Sequence, residues 1–230
     1  MVRPPDWQTD ALLEHVARYR LTVFPALQQL PVFSGCRPGE IKNLLKYCRT
    51  QELIRSAPLD QHYRYWYLDS LGAETCGLPP TRTGPLSEPA KIRALAMLRF
   101  CCLSNRPRHL FMADEFAQSF PMLARVGQCR GYYFEPGPAG RIGLVRVDAG
   151  RHGRWDRVLQ TVRQDIELHT LHRGFRQIVR AARFEISIVT IFSQKAKRIQ
   201  DSLPTIPGTD SIPVHVVAMP ELLPLVEPGR

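Results

Sequence analysis

The run FEISIVTIF, residues 184–192, is the feature that most constrains this chain. It is rich in β-branched and aromatic side chains and lies between Arg183 and Ser193. At well under the ~18 apolar residues of a membrane span, it reads as a buried, central strand. Residues 214–219 read as a second strand of the same kind. Upstream, 129–134 (CRGYYF) and 141–147 (RIGLVRV) read as two strands joined by a proline-glycine turn at 136–140. A long helix is expected over 154–182, with Gly174 as a point of interruption, and a basic helix over 194–203. Two further amphipathic helices are expected at 90–103 and 112–120. The order β-β-α-β-α-β predicts an α/β layer with a mixed sheet.

Proline and glycine cluster at residues 77–85 (GLPPTRTGP), the expected linker. The chain therefore reads as two domains, residues 1–80 and 86–225, and as α+β overall. In the first, Thr9 or Asp10 is expected to cap a helix whose apolar face is Leu12, Leu13, Val16 and Ala17. A short helix is expected over 22–30, with Pro25 in its first turn. A third opens at Arg37, with Pro38 at its first position. In that helix Ile41, Leu44, Leu45 and Cys48 recur at i, i+3, i+4 and i+7, which leaves Lys42, Asn43, Lys46 and Arg49 on the opposite face. Strands at 53–56 and 63–68, around a turn with Pro58, Asp60 and Gln61, complete a hairpin.

Helix, helix, turn, helix, hairpin is the order of a winged helix-turn-helix. In that arrangement the third helix enters the major groove and the hairpin reaches phosphate or the minor groove. The expected DNA contacts are Arg37, Lys42, Asn43, Lys46 and Arg49, with Arg55, His62 and Arg64 from the wing. Tyr63, Tyr65, Trp66 and Tyr67 are expected to pack the wing rather than to stack on bases.

Charge supports the same partner. There are 31 basic against 21 acidic residues, net +10. The excess is spread along the chain. Double-stranded DNA is the expected partner, a homodimer is compatible with it, and no membrane span is expected. The arginine bias carries less weight, because a GC-rich genome favours arginine whatever the function. Arg151, Arg154, Arg157, Arg163, Arg173, Arg176, Arg180 and Arg183 fall along the long helix and at its two ends and form a candidate stripe for DNA. The N-terminus MVRPPDWQTD lacks the apolar run of a signal peptide, so a cytoplasmic location is expected. The six cysteines form no Cys-x-x-Cys pair, and neither disulfides nor a zinc site is expected.

The second half also resembles the core of the restriction-endonuclease-like fold. Metal-dependent nucleases of that kind carry an acid near one strand end, then an acid-x-lysine on the next strand. Here Glu135 takes the first position, but Arg146 stands where the acid belongs and Asp148 where the lysine belongs. Glu135 and Asp148 remain the carboxylates available to a metal, although strand-end carboxylates are more often solvated or paired with arginine. Pairing is the expectation, and the domain reads as degenerate, with no catalytic residue, metal or cofactor. His169 and His172 read as a helix-surface pair rather than metal ligands. No phosphate-binding loop, Gly-x-Ser-x-Gly elbow or dinucleotide fingerprint is present.

The segment Arg146-Val147-Asp148-Ala149-Gly150, then Val189-Thr190-Ile191-Phe192-Ser193 leading to Lys197-Arg198, resembles the replication-relaxation family. These are winged-helix proteins of plasmids, phages and integrative elements. Arg146 departs from that family's usual acid. The resemblance implies DNA binding linked to replication, transfer or gene control of a mobile element. The expected function is a sequence-specific DNA-binding regulator or accessory factor. A metal-dependent DNA nuclease, or an adaptor whose winged helix binds protein, is the alternative.

Overall fold

The computed structural model describes residues 3–123, 130–138, 140–150 and 155–226. The chain is mixed α and β and divides into two compact units, Met1–Asn105 and Arg106–Arg230.

In the first unit α1 (Asp6–Tyr19), α2 (Phe24–Gln29) and α3 (Pro38–Thr50) precede a hairpin of β1 (Ile54–Pro58) and β2 (Arg64–Leu68). Helix α1 starts at Asp6, earlier than Thr9 or Asp10. Pro5 precedes it, and Asp6 sits in the first turn, where a carboxylate favours the helix N-terminus. Helix α2 starts at Phe24 because Thr22 is engaged elsewhere. Thr22 pairs with Trp66, exchanging two backbone hydrogen bonds of 2.9 Å, and so adds a third short segment to the hairpin. Helix α3 begins after Arg37, whose backbone N–H donates to the Glu40 carboxylate at 2.6 Å. Its Ile41, Leu44, Leu45 and Cys48 are buried against Leu12, Leu13 and Val16 of α1.

The hairpin is antiparallel, from Ile54 opposite Leu68 to Pro58 opposite Arg64. Asp60 closes its tip by accepting from the backbone N–H groups of His62 and Tyr63 at 2.7 and 2.8 Å. A helix absent from the sequence reading follows, α4 (Ser70–Thr75), capped by Asp69. It needs glycine at 72, where a Cβ would lie 2.0 Å from the Leu53 carbonyl oxygen.

The expected linker at 77–85 is a strap on this unit rather than a boundary. Arg82 donates to the Ala17 carbonyl at 2.7 Å and the Leu86 N–H to the Tyr65 hydroxyl at 3.0 Å. The next helix, α5 (Glu88–Cys102), packs on α1 and α2, so the first unit runs to Asn105 instead of ending near residue 80. An amphipathic pattern shows that a helix has a partner, not which side of a proline-rich segment the partner lies on.

The second unit holds a five-stranded mixed sheet in the order β3 (His109–Leu110), β4 (Tyr132–Glu135), β5 (Arg141–Asp148), β6 (Phe184–Thr190), β7 (Val214–Ala218). The first two pairings are antiparallel and the last two parallel. Helix α6 (Ala113–Ser119) follows β3. Helices α7 (Trp155–Leu171) and α8 (Arg173–Arg180) connect β5 to β6, and α9 (Ser193–Ser202) connects β6 to β7. The expected long helix is thus two, broken at His172. A Cβ at Gly174, in the first turn of α8, would lie 2.8 Å from a terminal methyl of Leu123, which must give way to any larger residue there. Every residue of β6 is buried, as a central strand requires. Phe184, Ile186 and Ile188 share one core with Val162 and Ile166 of α7, Phe175 of α8 and Ile199 of α9.

Candidate functional site

The eight residues expected to contact DNA are exposed, but they fall into two sets. Lys42, Lys46 and Arg49 lie on one side of α3, at i, i+4 and i+7. They line a groove of about 620 Å³ with Leu45, Phe24 of α2, and His62, Tyr63 and Trp66 of the hairpin. The Lys42 ammonium stands 5.7 Å from the centre of the Phe24 ring. Among the described residues no carboxylate lines the groove, so its rim is cationic and its floor aromatic.

Arg37, Asn43, Arg55 and Arg64 lie outside this groove. Arg55 instead pairs with Asp69, the cap of α4, at 2.5 Å, and that carboxylate raises the arginine's pKa. Arg64 donates to the hydroxyl and carbonyl of Ser56, both at 3.2 Å. Both arginines brace the hairpin. Of its aromatics, Tyr65 and Tyr67 are buried and Trp66 packs on the core, whereas Tyr63 is 64% exposed at the tip.

In the second unit Glu135 pairs with Arg108 at 2.9 Å and Arg106 at 3.8 Å, which is the expected arginine pairing. Asp148 is held differently. Lys195, in the first turn of α9, meets it at 2.6 Å. The two carboxylates cannot share a metal. Glu135 is opposite Arg141 at one end of β5 and Asp148 is at the other, so seven rises of ~3.3 Å separate their positions, about 23 Å. Among the described residues no group of three His, Cys, Asp or Glu side chains is placed to hold a metal ion.

Arg146 does not turn to Asp148. Its guanidinium forks onto Asp165 of α7 with bonds of 2.6 and 2.8 Å, and that carboxylate raises its pKa. His169 is neither a metal ligand nor a surface residue. It is fully buried, and both nitrogens are engaged, one by the Asp165 carbonyl at 2.5 Å and the other by the Tyr132 hydroxyl at 2.7 Å. The carbonyl can only accept, so that ring nitrogen carries the proton and the other accepts from tyrosine. Burial lowers the pKa of this imidazole.

Arg146, Asp148, Gly150, Arg157 and Lys195 line a cleft of about 680 Å³ at the carboxyl ends of β5 and β6. The cleft was not legible in the sequence. The only hint was a lysine following closely on the end of an apolar strand, where crevices form in parallel sheets. The arginines of the expected stripe fall on two helices, with Arg157 and Arg163 exposed on α7 and Arg183 exposed just after α8. Arg151 and Arg154 lie outside the described residues, and Arg173, Arg176 and Arg180 are exposed on α8.

Cys36, Cys48, Cys76, Cys101 and Cys102 are free thiols, and Cys129 lies outside the described residues. No helix among the described residues is long and apolar enough to cross a membrane. No family model, no curated protein and no solved structure matches the chain.

Proposed function

We propose that the chain is a sequence-specific duplex DNA-binding protein whose first unit is a winged helix-turn-helix. The observation that carries this reading is the groove beside α3. There Lys42, Lys46 and Arg49 meet His62 and Tyr63 from the hairpin, with no carboxylate among the lining residues. Helix α3 inserts into the major groove and the hairpin tip runs along the phosphates. Asn43, exposed beside the lysines, reads a base edge, and the lysines neutralise phosphate.

The second unit is a degenerate restriction-endonuclease-like domain in this reading. What supports degeneracy is the separation of Glu135 from Asp148 and the occupation of Asp148 by Lys195. The likeness of residues 146–150 and 189–198 to replication-relaxation proteins supports a regulatory or accessory role in a mobile element.

The aromatic floor of the groove, Phe24 and Trp66, favours a second reading, an adaptor that seats a peptide. Binding to duplex DNA at rising salt separates the two. Phosphate contacts give a steep fall in affinity, and an adaptor shows no duplex binding to lose.

A further inference from the structure

The cleft at the carboxyl ends of β5 and β6 differs chemically from the groove beside α3. Its volume of about 680 Å³ is that of a small-ligand pocket. Among the described residues three cations line it, Arg146, Arg157 and Lys195, against one carboxylate, Asp148. Its apolar wall is Val147, Val158, Val162 and Ile188.

Each lining cation stands differently. Arg146 is tied to Asp165 by both arms of its fork. Arg157 is exposed and has no carboxylate partner among the described residues. Lys195 has a side chain only 1% exposed, and its one charged partner among the described residues is Asp148. An ammonium carries three donors. With a single carboxylate oxygen in reach, Lys195 keeps donors that nothing else among the described residues accepts. A buried ion pair is a weak device for stability, since packed apolar residues commonly do as well. A buried lysine with spare donors on a cleft wall is better accounted for by a ligand.

The charge balance selects the ligand's sign. A metal ion needs carboxylates, and the two nearby are committed, Asp148 to Lys195 and Asp165 to Arg146. An oxyanion needs donors, and the cleft offers them. A guanidinium fork beside an ammonium suits a group with several terminal oxygens. We propose that this cleft binds a phosphate monoester with a compact organic body, the phosphate held by Arg157 and Lys195 and the body lying on the valine and isoleucine wall. Asp148 holds the Lys195 ammonium in place, and the Gly150 N–H, 3.3 Å from its other oxygen, orients the carboxylate.

Calorimetric titration of the full chain tests this, with adenosine 5′-monophosphate, inorganic phosphate and adenosine as probes at constant ionic strength. The monophosphate is expected to bind, inorganic phosphate to bind more weakly and adenosine not to bind. Arg157→Ala is expected to weaken the monophosphate by about tenfold or more without moving the thermal midpoint, because Arg157 is exposed. Lys195→Met is expected to remove binding, and Arg157→Ala keeps the test decisive if that variant does not fold. The proposal is overturned if no phosphate binds at millimolar concentration, or if adenosine binds as well as its monophosphate. It is equally overturned if Arg157→Ala leaves affinity unchanged, or if manganese binds in a manner that Asp148→Asn abolishes.

Discussion

Tyr133 on β4 reaches Glu185 on β6 across the full width of β5, donating its hydroxyl to the carboxylate at 2.6 Å. Gly143 lies at the crossing, opposite Tyr133 on one side and Glu185 on the other. A Cβ there would stand 2.0 Å from the tyrosine ring. The glycine in RIGLVRV therefore clears a path for a buried hydrogen bond. Gly143→Ala is expected to destabilise the protein by about 1–3 kcal/mol through overpacking, read by denaturant unfolding. Adding Tyr133→Ala removes the ring that the new methyl strikes, so the double variant is expected to lose less than the two single losses combined. Simple additivity would contradict the account.

Acid weakens the protein through a carboxylate and a histidine that begin to lose their stabilisation at different pH. Burial of Glu185 works against its charge. His215, 3.6 Å away, the hydrogen bond from Tyr133 and the charge of Arg141 outweigh burial and hold its pKa at about 2 against an ordinary 4.5. That stabilisation is complete above pH 4.5 and is lost as pH falls towards 2. His15 of α1 is buried beside Arg18 and hydrogen-bonded to Thr22, and burial pushes its pKa down to about 3 from 6.5. The unfolded chain then binds a proton that the folded one refuses, so stability falls as pH drops from 6.5 towards 3. The slope is about 1.4 kcal/mol per pH unit for such a group. Unfolding free energies measured between pH 7 and 4.5 are expected to fall less steeply in His15→Gln. An unchanged slope would remove His15 from the account.

Not every cation of the first unit serves the proposed interface equally. Lys46 lines the groove, whereas Arg55 is tied to Asp69 and Arg64 to Ser56. Lys46→Ala is expected to weaken duplex binding and to lower the salt slope by about one. Arg55→Ala is expected to weaken it less, despite the same loss of formal charge. Asn43→Ala is expected to relax preference at one base position by about 1–3 kcal/mol. Affinity measured by fluorescence anisotropy on a fixed duplex and its single-base variants ranks the three. Equal losses for Lys46→Ala and Arg55→Ala would place the interface elsewhere.

The elements that periodicity specifies were legible in the sequence. Ile41, Leu44, Leu45 and Cys48 turn inward on α3 as their spacing requires, and residues 184–190 form the buried strand their composition demands. Helix α4 escaped notice because its six residues bury only Gly72 and Ala73, which mark no apolar face. Thr22 looked like the start of a helix because its partner, Trp66, lies far along the chain. The same physical limit hid the cleft. Nothing local joins Asp148 to Lys195, which meet only because β5 and β6 are parallel neighbours and α9 starts where β6 ends.

The second unit is not expected to cut DNA. Glu135 is held by Arg108 and Asp148 by Lys195, at opposite ends of β5. Plasmid DNA incubated with the purified protein and magnesium or manganese is expected to stay intact. Cleavage that disappears in a folded Asp148→Ala variant would reverse this conclusion.

The central claim, that the first unit binds duplex DNA through α3 and the hairpin, is tested most directly by the salt dependence of binding. Each phosphate neutralised contributes about −0.9 to the slope of log affinity against log salt. Lys42, Lys46 and Arg49 together give a slope of about −2.7 on that basis, and Lys42→Ala/Lys46→Ala is expected to bring it to about −0.9. Measured from about 50 to 200 mM salt, a steep slope that flattens in the double variant is the predicted result. Duplex affinity that does not change with salt, or a slope the double variant leaves intact, would contradict it.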